Sequence, residues 1–197
     1  MSTLLEAKEV TKTYAKAQHP SLNKVSFSVS KGEFIAIMGA SGSGKTTLLN
    51  ILSTIDTPTS GSITIDGINI MNLTDSDAAD FRRDTLGFIF QEYLLLDSLT
   101  IFENIAVPLT LQKLPPKEIE NMVRSLAEAF SIDSQLNKYP TELSGGQRQR
   151  ASALRAIVKR PRILFADEPT DALSGSCLKR MLTGVPFMNP LHGKWQN

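Results

Sequence analysis

The chain has 197 residues, of which 41% are hydrophobic and 21% charged, so it can form one substantial globular domain but not two large ones. Lys and Arg number 21 against 20 Asp and Glu, and this net charge of +1 excludes a general electrostatic attraction to nucleic acid or an anionic membrane. The lone Cys177 excludes an internal disulfide, no apolar run reaches the roughly 20 residues that span a bilayer, and the first residues lack a secretory signal, so we expect a cytosolic setting.

The first part of the chain predicts strands followed by a helix. Residues 25–29 and 62–67 alternate apolar and polar side chains, which is typical of half-buried strands, and we expect antiparallel pairing there. Residues 34–38 are apolar throughout, which instead predicts a strand covered on both faces. Residues 45–52 have helical character.

The second part predicts mostly helix. Residues 86–90 indicate one more short strand, and Pro115 and Pro116 suit the start of a helix. Apolar residues then recur at helical spacing: Ile119, Met122, Val123, Leu126 and Phe130. We further predict a turn at 139–142, a helix at 147–158 and a buried strand at 162–166.

A glycine-rich loop joins the apolar segment 34–38 to the first helix. Its residues are Gly39, Ala40, Ser41, Gly42, Ser43, Gly44, Lys45 and Thr46, followed by Thr47. Glycines let backbone N–H groups face phosphate oxygens, and the helix N-terminus adds partial positive charge. A coincidental Gly/Ser turn is the alternative, but the strand before and helix after favour a P-loop in which Lys45 contacts the β- and γ-phosphates of ATP and Thr46 offers its hydroxyl to Mg²⁺.

A carboxylate pair follows the predicted strand 162–166. In a P-loop protein, Asp167 would hold Mg²⁺ through water and Glu168 would orient or deprotonate the attacking water. Taken alone, such a pair is more often the start of a solvated loop, and the P-loop upstream reverses that preference.

A second glycine-rich helix start lies between these two motifs. Leu143 is followed by Ser144, Gly145, Gly146 and Gln147, which predicts an anion site with Ser144 and the glycine amides as donors. An N-capped helix start explains the segment equally well in isolation, but its place between the P-loop and the carboxylates favours a nucleotide contact. Arg148 and Arg150 are predicted to be surface charges of the helix rather than phosphate ligands.

These motifs, in this order between about Leu4 and Leu173, resemble the ATP-binding subunits of ABC transporters. The resemblance implies an α/β P-loop NTPase core with an antiparallel β flank and an α-helical signature subdomain. It assigns residues 1–174 to the ABC ATPase domain and about 92–145 to the helical subdomain. It also implies Mg²⁺-dependent ATP hydrolysis, with Lys45, Gln91 and Glu168 as catalytic residues.

The resemblance also implies partners. In a head-to-tail homodimer, Ser144, Gly145 and Gly146 of one subunit would close over the ATP held by Lys45 of the other. Gln91 would contact Mg²⁺ and water and touch an integral membrane permease, which would hold the subunit on the inner face of the membrane; no nucleic-acid partner is expected. Tyr14 would stack on adenine, although an ordinary half-buried tyrosine is the alternative.

Finer motifs resemble two branches of the family. Residues 37–42, 58–61, 86–91 and 166–170 are similar to the lipoprotein-releasing and macrolide-exporter branch. Residues 138–140 and 165–168 are most similar to bacitracin-type antimicrobial-peptide exporters. This likeness implies export of antimicrobial peptides or other amphipathic or lipid-associated molecules.

The chain departs from the family pattern near its end. Ser174 stands where the family has an aspartate that contacts the dimer partner, and no apolar strand precedes His192 as it would precede the family's γ-phosphate histidine. We therefore expect a chain truncated or altered after about Leu173, with a divergent tail at 175–197 and a P-loop strand left at a sheet edge.

Two alternatives follow. The chain is either a working exporter ATPase or a nucleotide-binding remnant with little or no hydrolysis. A soluble ABC ATPase acting on DNA or the ribosome is disfavoured, because the sequence has neither a long coiled-coil insertion nor a second P-loop.

Overall fold

The computed structural model describes residues 2–15, 17–33, 35–90 and 92–166. The described strands are β1 (Thr3–Lys12), β2 (Leu22–Ser30), β3 (Ser60–Ile65), β4 (Ile68–Asn69), β5 (Leu86–Ile89) and β6 (Ile163–Ala166). The described α-helices are α1 (Lys45–Leu52), α2 (Asp75–Thr85), α3 (Ile101–Leu111), α4 (Pro116–Ala129) and α5 (Gly145–Ile157). The chain divides into two compact units, residues 1–86 and 87–197, and the predicted tail 175–197 lies outside the described residues.

The first unit contains a four-stranded antiparallel sheet in the order β2-β1-β3-β4. The predicted strands 25–29 and 62–67 correspond to β2 and β3, and both pair antiparallel with β1, as expected. Helix α1 begins at Lys45 directly after the glycine-rich loop and buries Leu48, Ile51 and Leu52. The antiparallel flank and the first helix are thus confirmed.

Strand β1 contains a bulge that shifts which side chains are buried. Leu5 and Ala7 are buried in the two-residue alternation of a strand, but the next buried residue is Val10. The pairing register shifts between Ala7 and Val10, and Glu9 has a left-handed φ of 48°. The extra residue turns Val10 rather than Glu9 into the core.

The prediction of a buried strand at 34–38 is wrong for the residues described there. Residues 35–38 form no strand, Ile35 and Ile37 are each 42% exposed, and Met38 is 90% exposed. An extended segment becomes a strand only when a neighbour pairs with its backbone groups, and neither described sheet includes these residues. The apolar composition of the segment indicated that it favours a strand, but composition does not show whether another segment pairs with it.

The second unit is built mainly from α3, α4 and α5. Its core includes Ile105, Val123 and Leu154, each fully buried. The predicted helix after Pro116 is confirmed as α4, with four of the five periodic residues buried and Met122 partly buried against the same core. Helix α5 begins at Gly145, two residues before the predicted start, and ends at Ile157.

Strands β5 and β6 form a second, two-stranded sheet. The rings of Phe88 and Phe165 lie 5.4 Å apart across it. A Cβ on Gly87 would lie 2.7 Å from the carbonyl oxygen of Ala156, so this glycine allows the strand to approach the end of α5 closely. Within β6 only Phe165 is buried, whereas the sequence predicts burial throughout residues 162–166.

Among the described residues, none of the helices combines the length and hydropathy required to cross a lipid bilayer.

Candidate nucleotide-binding site

The P-loop turns into α1 through two glycines in the left-handed region. Gly42 has φ 78° and Gly44 has φ 91°, values that a residue with a side chain adopts only at a cost. The backbone N–H of Ser43 donates to the carbonyl of Ala40 at 3.2 Å and closes the turn. Gly44 is the N-cap of α1, and no side chain caps this helix start, so its first amides remain available to an anion.

Close packing at Gly44 and Gly39 fixes the shape of the loop. A Cβ on Gly44 would collide with the carbonyl oxygen of Ser21 and lie 3.0 Å from Cδ2 of Leu22, at the beginning of β2. A Cβ on Gly39 would lie 2.5 Å from Oγ of Ser43. Gly44 therefore has a steric reason as well as a conformational one, whereas the contact at Gly39 is with a side-chain hydroxyl that can rotate away.

Lys45 reaches back over the loop that it terminates. Its Nζ donates to the carbonyls of Gly39 at 2.8 Å and Ala40 at 2.9 Å. The first turn of α1 contains no acidic residue that would compete with a phosphate, and the Thr46 hydroxyl belongs to an exposed residue at the same helix start. Ser41 is also exposed and Thr47 is half-buried. The loop therefore offers backbone amides and one ammonium group, and the first turn of α1 has no acidic side chain. These groups are suited to bind a polyphosphate.

Tyr14 is held in a polar cluster beyond the end of β1. Its hydroxyl donates to Oδ2 of Asp56 at 2.9 Å, and Nζ of Lys12 lies 4.8 Å from the centre of its ring. Lys12 also donates to Oδ1 of Asp56 at 2.5 Å. Tyr14 as a whole residue is nevertheless 42% exposed, so part of its surface remains available for stacking.

The carboxyl group of Asp56 is tuned by this cluster. Partial burial on its own raises the pKa of Asp56, but hydrogen bonds from Lys12, Tyr14 and the Thr57 amide outweigh burial and lower it below the usual value. The ionised carboxylate thus fixes both the lysine and the tyrosine.

The signature segment, residues 143–147, begins helix α5 with a reciprocal cap. The Ser144 hydroxyl accepts from the Gln147 amide at 3.4 Å, and Oε1 of Gln147 accepts from the Ser144 amide at 2.9 Å. Ser144 is exposed, and Gly145, Gly146 and Gln147 are half-buried. The predicted second helix N-terminus is therefore present, and it is the N-capped start that the alternative interpretation also expects.

Arg148 differs from its predicted role as a surface charge. It is half-buried, and its Nη1 donates to the carbonyl of Leu143 at 2.6 Å, because the helical turn returns its side chain toward the N-terminus. Arg148 thereby fixes the residue that precedes the cap. This arginine acts on the backbone of the signature segment.

The segment after Gln91 is bound to two helices of the second unit. Gln91 itself lies outside the described residues, but Tyr93 and Leu94 both have left-handed φ values, 61° and 46°. The Tyr93 carbonyl accepts from Oγ of Ser152 and from Nη2 of Arg155, both at 2.8 Å. Nη1 of Arg155 donates to the Leu94 carbonyl at 2.6 Å, and burial lowers the pKa of this guanidinium.

Asn104 holds the other end of that segment. Its Oδ1 accepts from the Leu96 amide at 2.8 Å, and its Nδ2 lies 3.0 Å from the carbonyl oxygens of Leu96, Leu99 and Thr100. Asn104 is fully buried in α3. Sequence reasoning missed it, although an amide between Ile101 and Ile105 on an apolar helical face is a recognisable signal.

Asp167 and Glu168, predicted to hold Mg²⁺ and to activate water, lie outside the described residues. Strand β6 extends to Ala166, the last described residue, directly before them.

Comparison with known proteins gives consistent results. The family model described as ABC transporter matches residues 22–171. The chain is 47% identical over 190 residues to the ABC transporter ATP-binding protein YxdL of Bacillus subtilis (strain 168), covering 96% of this chain and 74% of that protein. It is 47% identical over 188 residues to the bacitracin export ATP-binding protein BceA of Halalkalibacterium halodurans, covering 94% of this chain and 74% of that protein.

A solved structure has the same fold. It is a dimeric structure of a post-hydrolysis state of the ATP-binding cassette MJ0796 bound to ADP and Pi, with a TM-score of 0.81 and 36% sequence identity. The alignment covers 91% of this chain and 83% of that one. This similarity confirms the predicted α/β ABC ATPase fold and supports ATP binding and hydrolysis. The chain therefore belongs to the ABC transporter ATP-binding proteins, the ATPases of that family.

Proposed function

We propose that this chain is the ATP-hydrolysing subunit of an export system for antimicrobial peptides or other amphipathic, lipid-associated molecules. The observation that carries the nucleotide part is the P-loop, in which Lys45 bridges the carbonyls of Gly39 and Ala40 at an uncapped helix start. The export part rests on the identity to a relative named for bacitracin export and on the motifs that resemble such exporters.

The P-loop residues would bind the phosphates. The amides from Gly44 to Thr47 would donate to phosphate oxygens, and Lys45 would exchange its bonds to the loop carbonyls for bonds to the β- and γ-phosphates. Tyr14 would stack on adenine, with its hydroxyl anchored to Asp56. These contacts position the nucleotide and stabilise negative charge on the transferred group.

Hydrolysis would use residues from three other motifs. When bound, Mg²⁺ would add positive charge beside the terminal phosphates, and Thr46, Gln91 and Asp167 would hold it. Glu168 would orient or deprotonate the attacking water. Ser144 and the amides of Gly145 to Gln147 in a second copy would close the site from the opposite side.

This arrangement requires two kinds of partner. The signature segment would act on the nucleotide of a second copy of the chain, in a head-to-tail homodimer. An integral membrane permease would carry the substrate and hold the ATPase on the inner face of the cell membrane. The solved cassette structures that resemble this chain are dimeric, which supports the first of these partners.

Mg²⁺-ATP turnover by the folded, purified chain tests the proposal, with Glu168→Gln as the blank. We expect turnover above that blank, reduced about 10²- to 10³-fold when Lys45→Ala removes one stabilising contact. A folded chain that binds ATP without turnover would instead be a nucleotide-binding remnant.

Substrate and partner need a separate test. Expression with the matching permease is expected to increase bacitracin resistance and to retain the ATPase in the membrane fraction. Unchanged resistance would contradict the proposal that the substrate is an antimicrobial peptide. Retention of the ATPase in the membrane fraction of cells that lack the permease would contradict the proposal that the permease holds it there.

A further inference from the structure

We propose that Arg155 and Ser152 are positioning residues that clamp the Tyr93 segment, residues 92–96, to the signature helix α5. The inference rests on the proposed function, in which Gln91 and the signature segment both take part in hydrolysis. The helix that begins with the signature segment also binds the backbone two and three residues after Gln91.

The clamp consists of three hydrogen bonds to two consecutive carbonyls. Arg155 donates to Tyr93 at 2.8 Å and to Leu94 at 2.6 Å, and Ser152 donates to Tyr93 at 2.8 Å. A planar guanidinium can hold two acceptors at once in a fixed geometry, which a lysine cannot reproduce. The two carbonyls are therefore fixed in direction as well as in position.

The backbone of the segment requires such a clamp. Tyr93 and Leu94 are both left-handed, a conformation that single non-glycine residues adopt at a cost and that two in succession adopt only when the surroundings determine it. Two residues away, Asn104 fixes Leu96 through both its amide and its carbonyl. The segment is thus held at both ends by side chains from helices, at Tyr93 and Leu94, two and three residues after Gln91, and at Leu96, five residues after it.

The same segment also approaches the beginning of α5. A Cβ placed on Gly145 would lie 3.8 Å from the Tyr93 hydroxyl. Ser152 and Arg155 lie about two and three turns further along that helix. The Tyr93 hydroxyl therefore lies near the first turn of α5, while the Tyr93 carbonyl is bound by Ser152 and Arg155 further along the same helix.

The chemical consequence concerns turnover rather than nucleotide affinity. The clamp lies in the unit of residues 87–197, whereas the P-loop and Tyr14 belong to the unit of residues 1–86. Loosening the clamp should misplace Gln91 relative to the signature segment without altering the P-loop and Tyr14, which would bind the phosphates and the adenine within one copy. A displacement of about 1 Å at a catalytic group commonly costs on the order of 10²-fold in rate.

The test uses Arg155→Met, which keeps the side-chain length and removes the donors, and Ser152→Ala, which removes one bond from a small buried side chain. We expect Arg155→Met to lower kcat about 10- to 100-fold while the Kd for ATP changes less than about twofold. Ser152→Ala should change kcat in the same direction by a smaller factor. Arg124→Met on α4, which removes an exposed pair with Glu120, is the matched control.

A double-mutant cycle with Gln91→Ala distinguishes positioning from a general loss of stability. If the clamp acts through Gln91, Arg155→Met causes little further loss of kcat in the Gln91→Ala background. An equal loss in both backgrounds, or unchanged kcat in both clamp variants, overturns the inference. If Arg155→Met does not fold, the same cycle with Ser152→Ala decides.

Amide hydrogen exchange separates failure of this inference from failure of the proposed function. Exchange in residues 92–96 should be faster in Ser152→Ala and Arg155→Met than in the parent chain, whether or not the parent hydrolyses ATP. Unchanged exchange overturns the clamp. Absence of turnover in the parent chain with faster exchange in the variants would overturn the proposed hydrolysis and the positioning role, and leave only the structural contact.

Discussion

At the scale of single residues, Tyr14 combines a fixed hydroxyl with an exposed ring. The bond to Asp56 and the nearby ammonium of Lys12 restrict the side chain, so little conformational freedom would be lost when adenine stacks on it. The hydroxyl therefore anchors the side chain, and the proposed stacking on adenine belongs to the ring alone.

Two substitutions of Tyr14 distinguish those roles. We expect Tyr14→Ala to raise the Kd for ATP about 5- to 10-fold, which corresponds to roughly 1 kcal/mol of lost stacking. Tyr14→Phe keeps the ring and should raise it less than about threefold. Fluorescent-nucleotide titration measures both. Equal losses in the two variants would show that the hydroxyl, not the ring, matters.

The Asp56 carboxyl gives the cluster a pH dependence. Because the pKa of Asp56 is lower in the folded chain than its usual value of 3.8, its stabilisation is complete above that value and is lost as the pH falls toward the folded pKa. We expect Asp56→Asn to reduce the free energy of unfolding at neutral pH and the difference from the parent chain to shrink below about pH 4. Urea unfolding across this range is the measurement, and a difference that grows on acidification would contradict it.

At the scale of elements, the bulge in β1 and the start of β3 depend on each other. Gly61 has φ 99°, and a Cβ there would lie 2.6 Å from the Glu9 carbonyl and 2.7 Å from Cα of Val10. The bulge that turns Val10 inward brings its own backbone against β3, and only a glycine leaves room for it. The bulge in β1 therefore requires the glycine in β3, although the two lie about fifty positions apart in the sequence.

Replacing Gly61 tests this dependence, with Gly67 as a matched control. Gly67 also has a left-handed φ, 81°, but a Cβ there meets nothing within 4 Å. We expect Gly67→Ala to cost about 1 kcal/mol in the free energy of unfolding, for conformation alone, and Gly61→Ala to cost about 2–4 kcal/mol, for conformation plus backbone collision. Equal costs in denaturant unfolding would refute the steric part.

The same elements show what the sequence could and could not predict. The period of α4 and the alternation in β2 are local patterns, and both elements were predicted correctly. The P-loop and the signature segment are local motifs with fixed spacing, so their residues were named without a structure. The roles of Arg155 and Ser152 were missed because their partners are backbone carbonyls about sixty residues away. Every residue has such a carbonyl, so the sequence does not indicate which one a side chain will bind. The strand expected at 34–38 failed for the related reason that pairing is a property of two segments.

At the scale of the whole molecule, the P-loop and the signature segment are the two parts of the chain that we propose to contact the phosphates of ATP. The P-loop offers Lys45 and a glycine-lined turn, and the signature segment offers a capped helix start with half-buried glycines. In the proposed head-to-tail homodimer, one nucleotide would contact the P-loop of one copy and the signature segment of the other. We therefore expect ATP to drive association when hydrolysis is blocked.

This association can be tested with two complementary variants in the Glu168→Gln background. Lys45→Ala disables the P-loop and leaves the signature segment, and Gly146→Asp places a negative charge at the signature and leaves the P-loop. Each alone should remain monomeric with Mg²⁺-ATP in sedimentation velocity, while Glu168→Gln alone dimerises. A mixture of the two variants should form heterodimers with one intact composite site, more weakly than Glu168→Gln because half of the phosphate contacts are lost. If both single variants dimerise as Glu168→Gln does, the nucleotide is not shared between copies, and the head-to-tail arrangement is refuted.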